Sequence, residues 1–162
     1  MKRLWASWRM KYISGDSSKH TGCVFCDALD KPNSVDTLIL ERGRSVFAIL
    51  NKYPYTSGHV MVAPIKHLAT PEHLDTETSS ELMQFIIRYS GILNKVYHPE
   101  GFNIGANIGA AAGAGVPGHL HFHIVPRWNG DTNYMTTVGE IRVIPEDLQD
   151  TYARISKVLS GS

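Results

Sequence analysis

The run Gly-His-Leu-His-Phe-His-Ile-Val-Pro-Arg-Trp at residues 118–128 constrains this chain more than any other segment. Side chains of a β-strand alternate between faces and residues two apart stand about 6.6 Å from each other, so His119, His121 and His123 form a row on one side. Leu120, Phe122 and Ile124 fall on the other side, where an apolar set asks for a core. The segment therefore predicts a strand with one buried face and one chemical face. Near neutral pH imidazole acts as nucleophile, proton carrier, phosphate donor or metal ligand, and packing alone does not account for three in a row.

The 162 residues fit one domain that buries roughly two-thirds of its unfolded surface. With 19% charged residues and a net charge of +1, the chain has no global field to draw in nucleic acid or an anionic membrane, so any basic site must be local. No apolar run reaches transmembrane length, and the opening Met-Lys-Arg-Leu-Trp-Ala-Ser-Trp-Arg is charged and aromatic rather than signal-like, so a cytoplasmic location is expected. The two cysteines, Cys23 and Cys26, are spaced for metal or redox chemistry more than for a structural disulfide. With no strand pattern ahead of them the redox reading loses weight. The pair reads as half of a tetrahedral zinc site completed by imidazoles, or equally as two small buried residues.

Residues 4–13 have an amphipathic aromatic and basic look, and polar residues follow as far as Gly22. The runs Thr37–Glu41 and Val46–Leu50, separated by Arg42-Gly43-Arg44-Ser45, predict a hairpin, and His59–Ala63 predicts a third strand. From about Asp75 to Tyr97 the apolar spacing turns helical through Leu82, Phe85, Ile86, Tyr89 and Leu93, with Thr78 and Glu81 as an expected capping box. Phe102–Ile108 and Leu120–Val125 return to strand character, and Pro145-Glu146-Asp147 opens a helix running to about Leu159. The expected fold class is α+β, an antiparallel sheet with one long helix and a C-terminal helix. Ahead of the histidines, the small residues of Gly109–Gly118 outline a backbone phosphate cradle or a flexible loop, and their position beside the row favours the cradle.

Together, the His-x-His-x-His row, the Gly-rich approach to it, and Tyr53-Pro54-Tyr55-Thr56-Ser57-Gly58-His59 leading to Pro64 and His67 resemble the histidine-triad (HIT) superfamily. The resemblance implies a single HIT domain over residues 1–162, with its core at about 23–130 and the Trp-rich start and C-terminal helix appended. The segments Gly101–Gly109 and Pro126–Tyr134 resemble the prokaryotic branch of diadenosine tetraphosphate phosphorylases and hydrolases.

The resemblance implies roles residue by residue. His121 matches the nucleophile that takes the nucleotidyl group from an α-phosphorus, with its second ring nitrogen held by the carbonyl of His119. His119 and His123 complete the catalytic row; His123 and His59 match phosphate-binding positions, Asn107 a phosphate or leaving-group contact, and Asn51 a ribose contact. Gly113 and Gly115 of the small-residue loop join the substrate-binding set, and Phe25, Ile49 and Leu50 match a base pocket. Structural zinc is implied at Cys23, Cys26, His67 and His119, which would withdraw His119 from acid–base work, and magnesium accompanying the substrate is left open. A homodimer is implied, while His20, His73 and His98 receive no role.

One departure matters. Many HIT hydrolases carry Gln four residues before the first histidine of the row, where this chain has Gly115. The lost amide leaves room for a small anion, so the acceptor, water or orthophosphate, stays open. Three other readings compete with cleavage of a dinucleoside polyphosphate. They are a nucleoside phosphoramidate hydrolase of the same superfamily, a nucleotide-binding module without turnover, and a zinc hydrolase in which the row holds the metal.

Overall fold

A computed structural model describes residues 22–132 and 145–161. The expected amphipathic segment at residues 4–13, His20, and the Asn133-Tyr134 end of the second branch motif lie outside the described residues. In chain order the elements are α1 (Val24–Leu29), β1 (Ile39–Arg42), β2 (Val46–Leu50), β3 (Val60–Pro64), a 3₁₀ turn (Pro71–His73) and α2 (Thr76–Tyr97). They continue with β4 (Gly101–Gly105), a second 3₁₀ turn (Ala110–Ala112), β5 (Phe122–Arg127) and α3 (Leu148–Leu159). The strands form one antiparallel sheet in the order β1-β2-β3-β5-β4, the expected α+β class.

Every position of β2 and β3 is buried, because both sheet faces are covered at these two strands. Val46, Ala48, Leu50, Val60, Val62 and Ile124 meet Leu82, Phe85, Ile86, Tyr89 and Leu93 of α2 and Ile155 of α3. On the opposite face, Phe47, Ile49, Met61 and Ala63 pack with Phe25 of α1. Since Met61 is the register partner of His123, this second face is the histidine face. Strand parity therefore corrects one expectation: Ile49 and Phe25 lie on the histidine side, whereas Leu50 is buried beneath the helices and cannot line a pocket there.

Element ends shift from the sequence pattern for identifiable reasons. β1 begins at Ile39 rather than Thr37 because Leu38 takes a left-handed φ of 62°, and the register slips again between Ile39 and Glu41. β4 stops at Gly105, opposite His123, because the chain before β5 leaves the ladder; the Leu120 amide bonds the Leu68 carbonyl (2.7 Å). His119 and His121 thus lie in an extended approach, and only His123 stands within β5. The helix α1, absent from the sequence expectation, is six residues long and depends on what it touches. Arg42 grips its C-terminal end through the Leu29 carbonyl (2.9 Å), the Lys31 carbonyl and Asn33 Oδ1 (2.7 Å).

The capping box of α2 is also corrected. Asp75, not Thr78, caps the helix by accepting the Thr78 N–H at 2.7 Å. The Glu81 carboxylate reaches instead to the β1–β2 turn, accepting from the Arg44 amide (2.8 Å), the Ser45 amide (2.7 Å) and the Ser45 hydroxyl. One carboxylate closes the turn and fastens the sheet to α2. Replacing Glu81 by Ala should cost about 1–3 kcal/mol in urea unfolding, with helix content retained because the Asp75 cap remains. A change within a few tenths of a kcal/mol would show that the turn closes without it.

Candidate active site

The chemical face is organised by hydrogen bonds whose partners have fixed roles, and these settle the tautomers. A backbone N–H only donates, so the Tyr55 amide at 3.1 Å leaves His59 Nδ1 an acceptor and its proton on Nε2. His59 Nε2–H then donates to His123 Nδ1 at 2.9 Å, which places the proton of a neutral His123 ring on Nε2. In the row itself, His121 Nδ1–H donates to the His119 carbonyl at 2.8 Å, leaving the His121 Nε2 lone pair free of a proton. Burial lowers the pKa values of His119 and His121, and it pushes His123 down to about 4 with the adjacent His121 ring adding to the shift. In all three the shift favours the neutral ring.

The lead-in to His59 is built for close packing. Gly58 has φ +74°, and a Cβ there would meet the Tyr97 ring at 2.7 Å, so glycine alone lets the chain turn into β3. The Tyr55 ring lies over His59 with centroids 4.7 Å apart, and Asn51 offers its side-chain amide to His59 Nδ1 at 3.3 Å while accepting the Tyr53 N–H at 2.9 Å. His59, 1% exposed, uses both ring nitrogens within the protein and orients His123, and Asn51 is engaged with the 51–59 loop. Tyr55 stood inside the quoted motif, yet nothing in its spacing marked it as a partner of His59.

Asn107 and His123 line one cleft of about 1160 Å³ with Tyr55, Arg127 and Trp128. Arg127 donates to Asp131, and that pairing holds the Asp131 carboxyl well below the usual carboxylate range. The small-residue loop folds beside the row: Gly113, at φ +86°, ends the 3₁₀ turn and accepts weakly from the Asn107 side chain at 3.5 Å, and Val116 packs against the Phe25 cluster. Gly115 is exposed. Phe25, 3% exposed, sits over the row, its ring 5.2 Å from that of His119 and 5.1 Å from that of His121.

Cys23, Cys26, His67 and His119 converge so that their four ligand atoms lie within 4.8 Å of one another. A tetrahedral zinc with its usual bond lengths sets sulfur–nitrogen separations of roughly 3.6 Å. The observed values are 3.3 Å for Cys23 to His119, 3.4 Å for Cys26 to His67 and 3.7 Å for Cys26 to His119. His119 Nε2–H donates to the Pro64 carbonyl at 2.8 Å, which leaves Nδ1 for the metal and orients the ring. With a metal bound both ring nitrogens of His119 would be committed, and its link to His121 is its carbonyl. The donor set fits closed, structural zinc. His121 and His123 are not in the cluster, which argues against a metal held by the row.

Comparison with known proteins agrees with this geometry. Residues 32–130 match the HIT domain family, and the chain belongs to it. It is 38% identical over 158 residues to the AP-4-A phosphorylase of Mycobacterium tuberculosis, covering 93% of this chain and 80% of that protein. It is 26% identical over 133 residues to the adenosine 5'-monophosphoramidase of Schizosaccharomyces pombe, covering 78% and 95%. Among solved structures, a Zn-bound histidine triad family protein from Mycobacterium smegmatis superposes with a TM-score of 0.64 at 25% identity, covering 87% of this chain and 98% of that one. A hypothetical histidine triad nucleotide-binding protein from Sulfolobus tokodaii superposes at 0.68 with 27% identity, covering 86% and 93%. No helix among the described residues is long and apolar enough to cross a membrane.

The low His123 pKa carries a stability consequence. The unfolded chain takes up this proton near the ordinary value of about 6.5 and the folded chain only near 4, so the unfolded state binds more protons between the two. Stability should fall as the pH drops through that window. Replacing His123 by Asn should flatten the dependence of the denaturation free energy by up to about 1.4 kcal/mol per pH unit. Superimposable slopes for the two proteins would contradict it.

Proposed function

We propose that this HIT protein cleaves dinucleoside polyphosphates of the diadenosine tetraphosphate kind at the α-phosphorus, through a nucleotidyl–His121 intermediate. The observation that carries the reading is the 2.8 Å bond from His121 Nδ1 to the His119 carbonyl, which, with a neutral buried ring, leaves Nε2 as a nucleophile. In the first step the His121 Nε2 lone pair forms a P–N bond as the P–O bond to the leaving nucleotide breaks. His123 Nε2–H, held in place from behind by His59, donates to a phosphate oxygen as charge develops. In the second step an acceptor oxygen attacks phosphorus, the P–N bond breaks, and Nε2 recovers its lone pair. Asn107 and the loop around Gly113 and Gly115 flank the leaving phosphates, and Phe25 and Ile49 form the apolar wall toward the first base.

Orthophosphate is the acceptor we favour. Gly115 carries no side chain toward the loop, and the mycobacterial relative that shares 38% of its residues is an AP-4-A phosphorylase. Zinc, held by Cys23, Cys26, His67 and His119, is a structural tie that fastens α1 to the approach to β5. Assembly as a homodimer is supported by β4, an edge strand with Asn103, Ile104 and Gly105 exposed and Ile104 at 48%.

Incubation with diadenosine tetraphosphate should give ATP and ADP when orthophosphate is present. ATP and AMP at all phosphate concentrations would replace phosphorolysis by hydrolysis, and an adenylated amine as the preferred substrate would favour the phosphoramidate reading. The His121→Asn variant should lose activity by a factor on the order of 10⁴ or more while still binding nucleotide, and acid-labile label from an α-³²P substrate should appear on the native chain alone. Turnover that survives this substitution would remove the covalent route. Light scattering should report twice the chain mass, and an Ile104→Lys variant should report the single chain; native mass unchanged by that substitution would place the contact elsewhere.

A further inference from the structure

The metal cluster and the nucleophile share a support, and that support rests on two sulfurs within reach of solvent. Cys23 caps α1 and Cys26 stands in its first turn, so both thiols sit at the same end of a six-residue helix. Its buried residue, Phe25, lies between them in sequence and against the rings of His119 and His121 in space. Both cysteines are partly exposed and His67 is exposed, so a small solute can approach the cluster. The other end of α1 is gripped independently by Arg42. Releasing the sulfurs would free the Phe25 end while the Leu29 end stays put.

We propose that Cys23 and Cys26 are a site of oxidation by hydroperoxides, and that forming their disulfide expels zinc and unseats Phe25 from the nucleophile. The chemistry balances with the peroxide as oxidant. One thiolate attacks the O–O bond and becomes a sulfenic acid, the other displaces hydroxide from that sulfur to form the S–S bond, and the two electrons lost by sulfur reduce the peroxide, with two protons, to water. The two sulfurs are among four ligand atoms within 4.8 Å of one another, so the second step brings together atoms that already face one another. His67 and His119 alone no longer close a tetrahedron. The His119 ring then keeps only its Pro64 bond, and the carbonyl that holds His121 Nδ1 belongs to a residue with one of its two anchors gone. The chain has no further cysteine to compete for the oxidant or to resolve the sulfenic acid.

The loss of turnover rests on the nucleotidyl-transfer reading, whereas the thiol and metal events do not. The zinc-loaded full chain is titrated with hydrogen peroxide while a colorimetric chelator reads released zinc, thiol titration reads free cysteine, and hydrogen exchange reads residues 24–29. Zinc release should track the loss of both thiols, exchange in 24–29 should rise, and kcat should fall about tenfold, the scale on which groups supporting a metal site act. Thiol reductant with added zinc should reverse all of these. A Cys26→His chain keeps four ligands but has no partner thiol, so peroxide should take Cys23 only as far as a sulfenic acid that dimedone traps, with no disulfide formed. Zinc and thiols of the native chain untouched by peroxide would overturn the proposal, as would disulfide formation that leaves exchange in 24–29 and kcat unchanged. Thiols and zinc responding as expected in a reduced chain that cleaves no dinucleoside polyphosphate would sink the functional reading and leave the oxidation site standing.

Discussion

The bond from His121 Nδ1 to the carbonyl two residues behind it is the contact around which the rest is arranged. A carbonyl only accepts, so it holds the proton on one nitrogen and leaves the other bare, and burial keeps a second proton away. That bond is only as good as the placement of the His119 backbone. The Pro64 carbonyl holds the His119 ring from β3, and the cluster with Cys23, Cys26 and His67 holds it from α1. The four-ligand cluster thus reaches to within two residues of His121.

The same device recurs on the other side of the row. There the fixed partner is a backbone N–H instead of a carbonyl, and the Tyr55 amide orders His59, which orders His123. Two peptide groups therefore set opposite tautomers in neighbouring imidazoles, one presenting a lone pair and the other an N–H. A ring with a bare nitrogen and a ring with an outward N–H are made from the same side chain, and the difference lies in which partner stands behind each ring. The apolar layer beneath β2 and β3 keeps these backbones from drifting, because both faces of those strands are packed.

Much of this was legible in residue order. Period-two alternation through 119–124 separated the site face from the core face, and helical spacing from Leu82 to Leu93 found α2 almost to its ends. The four-residue zinc set follows from the family resemblance and assembles in the structure. What failed did so where a distant partner overrode a local signal. Glu81 has capping-box spacing but bonds a turn 36 residues earlier, whereas Leu50 is turned away from the histidine face by the strand alternation itself. α1 gave no signal because six residues are too few for a helical period, and it exists through Arg42, Phe25 and the sulfurs.

Residue order by itself determined which side chains share a face, since alternation along an extended chain is a property of covalent geometry. It also determined the family and the inventory of imidazoles, thiols and small residues. Only the tertiary structure decided what His119 and His123 do. His59 and His123 are 64 residues apart and His119 and Cys23 are 96 apart, so the free nitrogen of those rings depends on partners brought in across those separations, whereas His121 takes its partner from the residue two before it. A neutral imidazole has two nearly equivalent tautomers in isolation, so its chemistry is assigned by whatever donor or acceptor folding brings to one of its nitrogens.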